Sequence, residues 1–138
     1  DEQKYYLLDE YMDSEKTTEQ HARHIQKLIH KWDIDYIYID SAAQQVKADF
    51  AYDYDIYCEN AIKSVNDGIA CLQSLIENDN LYFDTMGGKH TYSAMSSYRW
   101  NPNTENPKPI HDWTSHPSDS VRYAIYTHSK MSGVSIYG

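Results

Sequence analysis

The segment from Ile34 to Ile39 reads IDYIYI and is closed by Asp40. Six residues so rich in β-branched and aromatic side chains favour a strand. So little polar content predicts one central to a sheet and buried on both faces. Two further runs have strand character, KYYLLDEY from Lys4 to Tyr11 and the short Leu81–Phe83; Ile56 and Tyr57 read as a brief fourth.

Helical stripes separate these runs. Thr17 is placed as an N-cap with Gln20 three residues later, the spacing of a capping box. Behind it Ala22, Ile25, Leu28, Ile29 and Trp32 share one helical face. A short helix is expected over Ser41–Phe50. A longer one is expected from about Ala61 to Glu77, with Ile62, Val65, Ile69, Leu72 and Ile76 as its stripe. Gly87 and Gly88 break the chain, most simply as a tight turn. Lys89 to Trp100 reads as a weak helix carrying Tyr92, Met95 and Tyr98 or Ser96, and proline-rich Asn101–Pro109 as a loop. Pro117 is expected to open a last helix reaching about Lys130, with Val121, Ala124, Ile125 and His128 as its stripe; a first helical turn accepts proline because its missing N–H costs nothing there. Strands alternating with helices predict an α/β fold with at least one parallel crossover.

The 138 residues suit one domain, and 41% apolar content supplies a core. No apolar run approaches the ~20 residues needed to cross a membrane, and no secretory leader is read. The chain starts at Asp1, almost inside a strand, so the expectation is that the start of a larger protein has been removed. Cys58 and Cys71 form no CxxC pair and read as reduced thiols; with the seven histidines they never fall into zinc-ligand spacing. A net charge of −9 argues against a dedicated nucleic-acid-binding module with a basic stripe. It leaves room for a nuclease whose carboxylates hold cations.

Asp40 follows a strand, where α/β proteins place their ligands, or it caps the helix after it. Asp119 falls in the first turn of the last helix, as a metal ligand or as a carboxylate compensating the helix dipole. His116 lies three residues ahead, on the same side if the helix begins by Pro117, or is plain polar surface. Hydrolysis of a phosphodiester needs an activated water and relief of charge on the leaving oxygen, and two divalent ions about 3.5–4 Å apart supply both. Hard ions of this type select carboxylate oxygens.

The strings KYYLLDEY, YIYIDSAA, VNDGIACLQSLIENDNLYF and SHPSDSVRYAIY stand in the order of matching blocks in the nuclease domains of tailed-phage large terminases, and the chain resembles that family over nearly its whole length. The resemblance implies a ribonuclease H-like fold, a mixed sheet flanked by helices, spanning residues 1–138 and lacking its first strand. It implies an Mg²⁺- or Mn²⁺-dependent endonuclease, with two ions in the complete site, cutting concatemeric double-stranded DNA. It places Asp40 and Asp119 as the second and third metal-binding carboxylates and His116 near the metals. Arg122 and Tyr123 match the family's "RY". The resemblance also implies an upstream ATPase motor, portal protein and small terminase subunit as partners, and the host cell cytoplasm as location. The sequence departs from the pattern at Ser115, where the family has an acidic residue; Asp112 lies nearby but out of register.

The family's first carboxylate belongs to a strand upstream of KYYLLDEY; Asp9 and Glu10 are the nearest substitutes, Glu10 the better. The expectation is an incomplete metal site and little cutting by this fragment alone. Two other readings stay open: a ribonuclease H-like resolvase or recombinase, and a catalytically silent docking module. Among Lys47, Lys63, Lys89, Arg99, Lys108, Arg122 and Lys130, one or two are expected to touch phosphates; the rest read as solvated surface. The tyrosines read as core residues with polar tips.

Overall fold

A computed structural model describes residues 3–98, 109 and 112–131. The chain divides into two compact units, one of residues 1–11 and 64–138, the other of residues 12–63.

In the first unit β1 (Tyr5–Leu7) pairs in parallel with β4 (Leu81–Phe83), Tyr5 opposite Leu81 and Leu7 opposite Phe83. Helices α3 (Val65–Glu77), α4 (Lys89–Ser97) and α5 (Ser115–Met131) complete it. Its core joins Cys71, Leu72 and Leu75 of α3 to Val121, Ile125 and Tyr126 of α5, with Tyr5, Leu7, Leu81 and Met95 packed around them. The KYYLLDEY strand is shorter than expected. Asp9 and Glu10 lie past its end, where Gly87 closes on Leu8: a Cβ at Gly87 would collide with the Leu8 carbonyl oxygen. Asp84 fixes the same turn by accepting the Met86 and Gly87 N–H groups, so Gly87–Gly88 forms the tight turn expected.

Several boundaries depart from the sequence reading. α3 starts at Val65 after Ser64, not at Ala61. Its buried face is Gly68, Cys71, Leu72 and Leu75, rotated from the expected stripe, leaving Ile62, Val65 and Ile76 exposed. Small residues let α5 approach there, so Gly68 and Cys71 are inside despite their size. Ile69 and Ile76 line a cavity of about 160 Å³ with Leu72, Met95, Tyr98 and Arg122. α4 ends at Ser97, because Tyr98 is extended, and the loop over 101–108 lies outside the described residues. α5 begins two residues before Pro117. On it Ala124 is exposed and Arg122 buried, so the inward face is Ser118, Val121, Arg122, Ile125 and Ser129.

In the second unit β2 (Tyr38–Ile39) pairs in parallel with β3 (Glu59–Asn60), flanked by α1 (Thr18–Trp32) and α2 (Gln44–Tyr54). The capping box at Thr17 and Gln20 forms as read, each backbone N–H bonded to the other side chain. Ala22, Phe50, Ile56 and Cys58 make the core. Trp32, expected inside, is exposed at the helix end beside Lys31. Ile56 is buried as a packing residue rather than in a strand; the strand is Glu59–Asn60. The IDYIYI run forms a strand only at Tyr38–Ile39, with Ile34 and Tyr36 exposed. The start of the run is still tied to α1, the Ile34 N–H bonded to the Ile29 carbonyl oxygen, and β2 pairs with β3 alone among the described residues. The Tyr36 and Tyr38 rings instead stack on each other, two residues apart on one face. Neither Cys58 nor Cys71 forms a disulfide, both are buried, and burial pushes the Cys58 thiol up.

Candidate functional site

Asp40 is the first residue past the carboxyl end of β2, beside Asn60 at the end of β3. Its Oδ1 accepts the Ala42 N–H at 2.9 Å and the Lys63 ammonium at 2.9 Å. The Ala42 bond, then the Lys63 bond and charge, hold its carboxyl below the ordinary aspartate value. The helix that follows starts at Gln44, with Ala43 as N-cap and no side-chain cap. Asp40 therefore organises the turn out of the strand rather than capping the helix. Asn60 Oδ1 accepts from Gln44 Nε2 and Lys47 Nζ, so two lysines stand at these strand ends. Asp40 makes no bond through Oδ2 to any described residue.

Asp119 stands on α5, one turn after His116. The helix opens earlier than its sequence predicts because Asp112 Oδ1 accepts both the N–H and the hydroxyl of buried Thr114. Pro117 is thus the third helical residue and Asp119 the fifth, in the second turn rather than the first. The helix-dipole reading of Asp119 weakens accordingly, since that effect fades beyond the first turn. Asp119 Oδ1 accepts Tyr98 Oη at 3.2 Å and Arg122 Nη1 at 3.1 Å; its Oδ2 bonds no described residue. Burial, then the Asp119 charge, raises the Tyr98 hydroxyl. Arg122 is buried, so it is no surface phosphate contact. His116 is exposed, and its carbonyl oxygen accepts the Ser120 hydroxyl.

Glu10 has another task. Its carboxylate accepts the His90 and Thr91 N–H groups and the Thr91 hydroxyl, closing the N-terminus of α4 from a segment 80 residues away. Burial works to raise its pKa; the Thr91 and His90 bonds outweigh it, and the net shift is downward. A depressed carboxylate contributes stability above the ordinary glutamate value of about 4.3 and loses it as pH falls through the folded value. Glu10→Gln is expected to destabilise by about 1 kcal/mol at pH 7, with a gap from wild type that narrows in acid. Urea unfolding at pH 7 and pH 3 checks this, and an equal gap at both would contradict it.

The donor chemistry of Asp40 and Asp119 fits a hard cation. Each is an oxygen donor steadied through Oδ1 by a basic residue, with Oδ2 unengaged. Among the described residues no group of three or more His, Cys, Asp or Glu is arranged to hold a metal ion. Asp40 lies in the second unit, Asp119 and His116 in the first. Tyr98 is not legible in the sequence as a site residue, and Lys63, nominated there among possible phosphate contacts, is not legible as the partner of Asp40: each meets its carboxylate across more than twenty residues, with no local spacing to announce it.

The geometry is that of an α/β domain with parallel strand pairs and a carboxylate at a strand's carboxyl end. The fold matches the large terminase of a thermophilic bacteriophage in complex with ATP-gamma-S, with TM-score 0.70 and 23% identity, over 81% of this chain and 29% of that one. It also matches the g2p large-terminase nuclease domain of bacteriophage SPP1 with bound Mn, with TM-score 0.66 and 21% identity, over 88% of this chain and 69% of that one. The family model that matches the chain describes a ribonuclease H-like fold, in keeping with these structural matches. The terminase RNaseH-like domain model matches residues 1–100, and the large terminase subunit of Escherichia phage T5 is 40% identical over 131 residues. The chain belongs to the terminase RNaseH-like domain family. The T5 alignment takes in 91% of this chain and 30% of that protein, so the chain spans about a third of its curated relative. The family match includes Asp40 and ends before Asp119.

Proposed function

We propose that residues 1–138 form the DNA-cutting domain of a phage terminase large subunit, a metal-dependent endonuclease acting on concatemeric double-stranded viral DNA. The observation that carries this is Asp40, seated at the carboxyl end of a parallel strand in a chain of this family, with one oxygen steadied and the other open. The Mn named with the SPP1 domain supports a divalent cation.

Asp40 in the one unit, and Asp119 and His116 in the other, would each serve as ligands to Mg²⁺ or Mn²⁺, two ions being expected in the complete site, with His116 steering a ligand or the attacking water. Bound there, such ions supply an activated water and relieve charge on the leaving oxygen. The chain's own residues prepare the site. Lys63 and the Ala42 N–H keep Asp40 ionised, and Arg122 keeps Asp119 in one rotamer. Lys47 and Lys63 add positive charge beside β2 and β3, offsetting part of a negative surface for an anionic substrate. In the full-length protein the partners are the DNA, the portal protein and the small terminase subunit, and the setting is the host cytoplasm.

Incubating the full-length protein with plasmid DNA and Mn²⁺ should produce nicked and linear forms, and chelation should abolish them. Cutting that persists in excess chelator would refute the metal-dependent reading.

A further inference from the structure

Arg122 is 5% exposed, and the space it occupies is left by a glycine: an added Cβ at Gly68 would lie 2.6 Å from both Cγ and Cδ of Arg122. Such contacts do not occur in folded proteins without something moving, so the absent side chain of Gly68 on α3 is the space in which the Arg122 stem lies. The Tyr123 ring lies beside the guanidinium, its centroid 5.1 Å from Cζ. Within this packing Nη1 reaches Asp119 Oδ1 at 3.1 Å, while Nε has no hydrogen-bond partner among the described residues. The stem is therefore seated at Gly68 and the guanidinium beside Tyr123, with one donor directed at one carboxylate oxygen. Tyr98 Oη donates to that same oxygen.

We propose that Arg122 is a positioning residue for Asp119. From the Gly68 notch it binds Oδ1, fixes the carboxylate plane, and so presents Oδ2 as the atom offered to a metal ion. The inference rests on the reading of Asp119 as a ligand and adds the residues that aim it. Partners that orient a metal-ligating carboxylate are worth about 10- to 100-fold in metal affinity.

The test is Mn²⁺ affinity, measured by calorimetry on the nucleotide-free full-length protein, with thermal unfolding recorded separately. Arg122→Gln should weaken the Asp119-dependent binding by about 10- to 100-fold. Arg122→Lys, which keeps a charge and a donor, should recover part of it. Gly68→Ala should weaken binding in the same direction by displacing the Arg122 stem, and should add nothing in an Arg122→Ala background, where the stem is gone. If Arg122→Gln does not fold, Arg122→Lys and Gly68→Ala carry the test. A folded Arg122→Gln protein that binds Mn²⁺ within about twofold of wild type, while Asp119→Asn does not bind, overturns the positioning role alone. Unchanged affinity in Asp119→Asn overturns the ligand reading and this proposal with it.

Discussion

Asp40→Ala and Asp119→Asn are each expected to lower plasmid cleavage by the full-length protein by about a thousandfold, equivalent to about 4 kcal/mol of transition-state stabilisation. The two substitutions differ because the environments differ. Asp40 is about half exposed, and its partners are a local N–H and a lysine in an exposed ion pair. Such a pair contributes ~0–1 kcal/mol, so alanine there should leave the fold standing. Asp119 faces a buried guanidinium. Truncating it would strand that charge, at about 3–5 kcal/mol, and lost activity would then be confounded with lost structure. Asparagine also loses the balancing charge, but it keeps an oxygen for Arg122 and Tyr98 to bond, so it is the milder of the two substitutions. Circular dichroism and unfolding midpoints should show both variants folded. Cleavage at wild-type rate by either folded variant would remove that residue from the catalytic site.

What can be read in the sequence is whatever local chemistry decides. The capping box at Thr17 forms because both its bonds close within four residues. Leu81–Phe83 is a strand as expected, bounded by Asn80 and Asp84. Asp40 stands just past a strand's carboxyl end as expected, because that placement needs only the strand before it. The misplacements arise where packing chooses among equals. Hydrophobic spacing nominates Ile62, Val65 and Ile76 for the inner face of α3, whereas α5 lies against Gly68 and Cys71. A stripe drawn from large apolar residues cannot register a contact made possible by a missing side chain. Arg122 reads as surface for the same reason: i,i+3 spacing offers Asp119 as its partner, but nothing near it in sequence signals the space at Gly68 that buries it. Glu10 reads as strand because YYLLDEY is apolar enough to continue. The chain turns away to give its carboxylate to a helix N-terminus 80 residues on.

The same packing identifies the residue whose loss should cost most stability. Leu75 is 1% exposed and belongs to the cluster joining α3 to α5, with Tyr5, Leu7 and Leu81 of the β1–β4 pair packed around that cluster. Its carbonyl oxygen also accepts the Asn80 N–H at 2.8 Å, in the turn that leads from α3 into β4. Leu75→Ala keeps that backbone bond and deletes only buried carbons, so its effect isolates packing. A fully buried leucine truncated in this way costs about 2–5 kcal/mol, the upper part of the range applying where neighbours cannot close the cavity. Here helices flank the site on one side and paired strands on the other, which limits closure and favours the larger value. Urea unfolding should show a lower midpoint with an unchanged slope, and amide exchange should accelerate in α3 and α5. Exposed Ile76, one residue along the same helix, provides the contrast: Ile76→Ala should cost well under half as much, since its side chain already meets solvent. Equal losses for the two substitutions would mean that α3 does not turn the Leu75 face toward α5.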